Sequence, residues 1–410
     1  MKKEICIAIS KLSVGGAQRR AFTLANEFAR NGYSVYILAL SSNDSTLEIN
    51  EYYNVEKNAQ FISITEYYQK QLKDKKAKKI RTISDIHLFF LKSLQNIFNL
   101  IKLNVPSVDF RIKCIRKSLP LKSFLIHHKR ATIISFEFDI FERVYFSSKN
   151  YRNKIIYAET NSSKRYESNI FYKQIKNYIK KSDAWVFQTK EERCEHNMEN
   201  IKNAFVINNP VNSNLPEPYS GIRKPIVVNF CRLSRQKNLL LLIKAFENFL
   251  KSCPGFKLEI YADCSGCNDE SYKEELLKYI SEHTLGEYVK ILPAISNVHN
   301  KILDYSMFVS SSDYEGISNS MIEAMAIGLP CVCTDCYGGG AREMITNEEN
   351  GLLVPIGNIE AMTNAMIRMV TEKGLAEKCS KNAAKVKQTH SVEKIAGEWI
   401  KIIEYVQKRM

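Results

Sequence analysis

The chain has 410 residues, 45% of them hydrophobic, which is long and apolar enough for two independent cores. No run of about 18 apolar residues occurs, so no membrane-spanning helix is predicted, and eleven cysteines without a framework spacing predict a reducing, cytoplasmic compartment rather than a disulfide scaffold. The formal net charge of +15 is uneven: residues 66–130 hold 16 Lys and Arg against four Asp and Glu.

The first ten residues are basic and then apolar, but Glu4 breaks a run already too short for a leader, so a strand over 5–9 is predicted. Val14-Gly15-Gly16-Ala17 follows, where paired glycines let the backbone approach a ligand closely, and then a helix to about Arg30. Further strands are predicted at 34–39, 133–136, 154–158, 184–188 and 204–207. The run Lys73-Asp74-Lys75-Lys76-Ala77-Lys78-Lys79 lies near the start of the basic stretch. After it, 84–104 reads as an amphipathic helix with Leu91, Leu94, Ile97, Phe98 and Ile101 on one face. This pattern suits an anionic membrane surface, at about 1 kcal/mol per basic residue near the lipid. It equally describes a core-packing helix with a solvated basic face. Nucleic acid has no recognition motif in its favour.

Asn208-Asn209-Pro210 closes the first half, and 213–224, with Pro216, Pro218 and Gly221, reads as a linker. A second alternating series follows, with strands at 226–230, 257–261, 289–292, 307–310 and 330–334. The last helix, 392–408, places Ile395, Ala396, Trp399, Ile402, Ile403 and Val406 on one stripe. The expectation is an α/β chain with two doubly wound, Rossmann-like sheets. The predicted domains are 1–212 and 225–390.

The chemistry concentrates in Glu315-Gly316-Ile317-Ser318-Asn319-Ser320-Met321-Ile322-Glu323. A helix start offers N–H groups and positive dipole to a phosphate, while the flanking carboxylates suit hydroxyls. Phosphate with polyol on both sides describes a nucleotide sugar. The plainer alternative is a capping box, Ser320-x-x-Glu323, with Glu315 a solvated loop acid. Arg232 and Lys237 fall on a strand-to-helix loop, where open α/β sheets bind ligands, and both suit a diphosphate. Gly338-Gly339-Gly340 opens a helix carrying Arg342 and Glu343. Cys264-Ser265-Gly266-Cys267 and the group Cys331, Cys333, Cys336 do not make a four-ligand metal site, and the alternation directs Cys331 and Cys333 to one face.

In this order the pieces resemble the retaining nucleotide-sugar glycosyltransferases of glycosyltransferase family 4, which have the GT-B fold. The matching text is Gly15-Gly16-Ala17-Gln18-Arg19, Asn209-Pro210-Val211, Arg232-Leu233 with Lys237, Glu315 to Glu323 running into Ala324-Met325-Ala326, Gly328-Leu329-Pro330, and Asn350-Gly351-Leu352-Leu353-Val354-Pro355. The resemblance is strong over 225–370 and thin over 45–130. It implies an acceptor domain, 1–212, completed by a C-terminal helix at 391–410 that crosses back from a donor domain. Arg232 and Lys237 would neutralise the donor diphosphate, Glu315 would hold the donor sugar and Glu323 the ribose. The N–H groups of Gly316, Ile317, Ser318 and Asn319 would meet phosphate or sugar, with Gly15 and Gly16 closing from the other domain. The implied donor is a UDP-sugar of the hexosyl or N-acetylhexosaminyl class, used without a metal or cofactor. The implied acceptor is a lipid-linked or nascent surface glycan, reached from the cytoplasm or the inner membrane face, and the reaction retains configuration.

Two departures stand out. Many members carry a histidine where this chain has Ser135-Phe136-Glu137-Phe138, and a surface-polysaccharide subgroup carries Ser-Glu-Arg-Asn where this chain has Ala158-Glu159-Thr160-Asn161. Glu159 and Asn161 are therefore the acceptor-side candidates. Ala262-Asp263-Cys264-Ser265-Gly266 replaces a glycine-rich turn. An epimerase of the same fold and a catalytically silent scaffold are the competing readings.

Overall fold

Short β-branched runs bounded by turns pair into two parallel sheets. The computed structural model describes residues 3–10, 16–40, 56–71, 106–136, 138–148, 151–160, 162–166, 169–263 and 270–409. Outside them lie Gly15, Asn161, the basic run 73–79, the helix expected over 84–104 and the pair Cys264 and Cys267.

The first sheet holds β1 (Glu4–Ile9), β2 (Ser34–Ala39), β3 (Ala59–Ser63), β4 (Thr132–Phe136), β5 (Lys154–Ala158), β6 (Ala184–Phe187) and β7 (Ala204–Val206). The second holds β8 (Lys224–Arg232), β9 (Lys257–Asp263), β10 (Val289–Pro293), β11 (Tyr305–Ser310), β12 (Cys331–Thr334) and β13 (Leu352–Val354). Their orders are β3-β2-β1-β4-β5-β6-β7 and β10-β9-β8-β11-β12-β13. In each, the first strand lies between two strands whose connections run in opposite directions across the sheet. That topological switch point opens a crevice at the strands' C-terminal ends.

Period-2 alternation explains the layers. Ile5, Ile7 and Ile9 join one core with the helix Gly16–Arg30 through Phe22, Ala25 and Phe28. Cys6 and Ala8 point the other way, toward Phe124 and Phe141. The C-terminal helix, Val392–Lys408, belongs to the first sheet although its chain leaves from the second. Ser391 caps it by accepting from the Lys394 N–H. The predicted stripe is the buried one, and Trp399 packs edge-on against Phe136 at 6.1 Å between ring centroids.

Two strands were not predicted. β3 and β13 sit at sheet edges and are short, and β13 lay inside Asn350-Gly351-Leu352-Leu353-Val354-Pro355. Such strands are decided by their neighbours more than by their own apolar content. The segment 213–223 is tightly held. Leu215 joins the second half's core, and Arg223 donates to the carbonyls of Leu303, Tyr305 and Gly328. The two chain crossings between the halves touch where the Val211 N–H donates to the His390 carbonyl at 2.8 Å. Among the described residues no helix is long and apolar enough to cross a membrane.

Candidate functional site between the two sheets

The loops after β8 and β11 lie side by side at the second switch point and are tied together by their own side chains. Asn238, in the left-handed region at φ 44°, caps the helix Leu239–Ser252 and donates to Asp313 at 2.8 Å. Ser311 donates to the Lys237 carbonyl. These ties aim Lys237 at Glu315, with Nζ 2.7 Å from Oε2, and Gln236 donates to the same oxygen at 3.0 Å. Lys237 is only 8% exposed. Burial pulls its ammonium down, but the Glu315 carboxylate outweighs that and holds its pKa above the ordinary value. Arg232, at the end of β8, is exposed, and its side chain makes no hydrogen bond or salt bridge among the described residues. The two loop cations thus differ: Lys237 also contributes to the fold, while Arg232 is available to an anion.

Ser318, not Ser320, caps the helix Asn319–Ala326, its hydroxyl accepting from the Met321 N–H. Glu323 is therefore not the partner in a capping box. It is buried and accepts from the Arg19 guanidinium on one oxygen and from His299 on the other at 2.9 Å. Burial pushes its carboxyl up, but His299 and Arg19 together hold the pKa below the usual range. After β6, Thr189 caps the helix Lys190–Glu195, the Glu192 N–H donating to its hydroxyl at 2.9 Å.

The first sheet reaches across the crevice from several strand ends. The Ile317 N–H, expected to meet phosphate, donates to Gln188 at 2.7 Å, and Asn209 donates to the Ile317 carbonyl at 3.0 Å. Asn209 also donates to Asn319 at 3.1 Å and accepts from Arg20, whose guanidinium lies 4.4 Å over the Phe136 ring. Asn319 in turn donates to the Gly16 carbonyl at 3.5 Å. Gly338 is gripped from both sides, its N–H by Glu195 and its carbonyl by Thr189. Gly316 lets the first half approach closely: a Cβ there would lie 2.3 Å from Gln188 Oε1 and 2.6 Å from Glu192 Oε1, so those side chains would have to shift.

The acids on this side are hydrogen-bonded and buried. Glu159 is 1% exposed and accepts from the Tyr157 hydroxyl and the Thr160 N–H, with His196 at 3.5 Å. Glu159, the acceptor-side candidate, is thus a buried acid whose oxygens are already met by its own half. Glu192 accepts from the Gln188 N–H at 2.7 Å, yet burial first and the Glu159 carboxylate second push its pKa up to about 8. Burial lowers the pKa of His196.

The structure thus gathers Arg232, Lys237, Glu315, Gly316, Ile317, Ser318, Asn319, Glu323 and Gly16 around one crevice. Sequence reasoning assigned no role to Arg19, Gln188, Glu192, Glu195, Asn209 or His299. Thr189-x-x-Glu192 after a predicted strand was a readable signal. His299 and Glu195 had none. Cys331 and Cys333 do share one core, and burial pushes both thiols up. Among the described residues no three His, Cys, Asp or Glu are grouped to hold a metal.

Residues 219–386 match the family model of the glycosyl transferases group 1. The poly(glycerol-phosphate) alpha-glucosyltransferase of Bacillus subtilis is 27% identical over 62% of this chain and 37% of its own length. The N-acetylgalactosamine-N,N'-diacetylbacillosaminyl-diphospho-undecaprenol 4-alpha-N-acetylgalactosaminyltransferase of Campylobacter jejuni is 32% identical over 45% of this chain and 47% of its own length. The chain therefore spans less than half the length of these two relatives. TarM from Staphylococcus aureus, solved with UDP among its ligands, superposes with a TM-score of 0.73 at 18% identity, covering 98% of this chain and 99% of that one. The architecture is the GT-B fold.

Proposed function

We propose that this chain transfers a sugar from a nucleotide-sugar donor to a lipid-linked or nascent surface glycan. One observation carries the reading: two carboxylates flank a glycine loop at a switch point, with Arg232 and Lys237 on the adjoining loop and the other half's helix start facing them. Glu323 takes the ribose hydroxyls, Glu315 the donor sugar, and the two cations the diphosphate. As the sugar–phosphate bond breaks, negative charge grows on the leaving group. Fixed cations stabilise that charge most where water is excluded. Configuration is retained, with the leaving phosphate as base, and no metal takes part; both points rest on the family resemblance.

The acceptor class is supported by the relatives, one acting on a glycerol-phosphate polymer and the other on an undecaprenol-linked glycan. On this proposal the chain works at the cytoplasmic membrane face, where residues 66–130 would meet anionic lipid. The donor is a UDP-sugar. Radiolabelled sugar should move from donor to a lipid-linked or polyol-phosphate acceptor with chelator present. Hydrolysis of donor without transfer to any acceptor, or epimerisation of the donor, would overturn the reading.

A further inference from the structure

Glu323 presents two oxygens, and both are taken by side chains. His299 sits on the short helix Val298–Ile302 of the same half and stays with Glu323 whatever the other half does. Arg19 stands on the opposite half, in the first turn of the helix Gly16–Arg30. The Glu323 side chain is 6% exposed while that of Arg19 is 40% exposed. Solvent access to the acid is therefore from the Arg19 side. On the reading that Glu323 holds ribose, a nucleoside and Arg19 want the same oxygen.

We infer that Arg19 is a built-in competitor for ribose at Glu323, a positioning residue whose displacement couples nucleotide entry to the spacing of the two halves. Arg19 joins His299 at the buried carboxylate and pins the helix Gly16–Arg30 to the helix Asn319–Ala326. A nucleoside entering the crevice breaks that pin and gains the oxygen. The guanidinium is then released on the turn that also carries Gly16, close to where the diphosphate is proposed to lie. A site occupied by its own chain binds ligand with an affinity reduced by the fraction that is open. Removing Arg19 should therefore tighten the binding of ribose while loosening the halves.

The test compares a ribonucleotide with its 2',3'-dideoxy analogue. Calorimetry with UDP, GDP, ADP and CDP first selects the tightest binder. That nucleotide and its dideoxy form are then titrated into wild type, Arg19→Met and Arg19→Lys. Arg19→Met should bind the ribonucleotide about fivefold or more tighter than wild type, gain nothing for the dideoxy analogue, and turn over more slowly. Arg19→Lys should fall between. Unchanged or weaker ribonucleotide binding by a folded Arg19→Met, in a wild type that prefers ribose, overturns the inference and leaves the role of Glu323 standing. Equal binding of both nucleotides by wild type overturns the role of Glu323 and the inference with it. If Arg19→Met fails to fold, Arg19→Lys and Arg19→Gln carry the same comparison.

Discussion

The two halves share a strand order but treat buried acids in opposite ways. In the second half each crevice carboxylate meets a cation: Glu315 has Lys237, and Glu323 has Arg19 beside its hydrogen bond with His299. In the first half Glu192 and Glu159 are both buried, and burial first and the Glu159 charge second push Glu192 up to about 8. One side is built to keep charge, as diol and diphosphate binding require. On the other, burial favours the protonated form of Glu192, and Gln188 beside it supports the Gly316 loop. Contacts between the halves are of both kinds, with the Arg19–Glu323 ion pair beside the neutral hydrogen bonds of Gln188 and Asn209 to the Ile317 backbone.

The largest effect should come from the cations. Arg232→Ala and Lys237→Ala should each lower turnover about 100-fold or more, the usual loss for a charge-stabilising group. Their melting points should split. Arg232→Ala should melt like wild type, whereas Lys237→Ala leaves Glu315 without its cation and should melt several degrees lower. Loop cations contribute little to stability as a rule, and Lys237 departs from that rule because it is buried. Near-normal turnover of both variants would remove the charged half of the comparison.

Next come the two glutamates. Glu323→Gln should weaken binding of the sugar-free nucleotide about tenfold or more, since hydrogen bonds to a buried charge are strong. Glu315→Gln should spare the nucleotide and slow transfer. Calorimetry with nucleotide alone separates them. Equal losses in both would show that the acids are not divided between ribose and sugar.

A smaller effect should follow pH. Glu192 has a folded-state pKa raised from 4.5 to about 8, so its contribution is complete below pH 4.5 and is lost as pH rises through about 8. The lowered pKa of Glu323 works oppositely, contributing above the unfolded value and failing as pH falls. Above pH 6.5, where the lowered pKa of His196 no longer works the other way, melting scans of wild type should therefore decline toward pH 9, and Glu192→Gln should flatten that decline. Glu142, pushed up to about 7 mainly by burial, slopes the same way, so Glu142→Gln is the control. An unflattened decline in Glu192→Gln would assign the slope to Glu142.

The smallest effect concerns the basic stretch. Changing Lys75, Lys76, Lys78 and Lys79 to Gln should reduce binding to acidic vesicles and its salt dependence, since charges are screened beyond about 8 Å at 0.15 M salt. Donor hydrolysis should not change. Equal binding to acidic and neutral vesicles by wild type would remove the membrane from the proposal.

The sequence alone determined the alternation of strands and helices, the two sheets, the stripe of the last helix and the loop cations and acids of the second half. Those features are local: a period of 2 or 3.6, a turn residue, or a loop between strand and helix is written in adjacent residues. Tertiary structure decided what adjacent residues cannot carry. It placed the cap on Ser318, gave Glu323 to Arg19 and His299, drew Gln188 onto Ile317, and buried Glu159. Each of these depends on which strand ends the topology brings together, and on whether water or another side chain meets the charge once they are there.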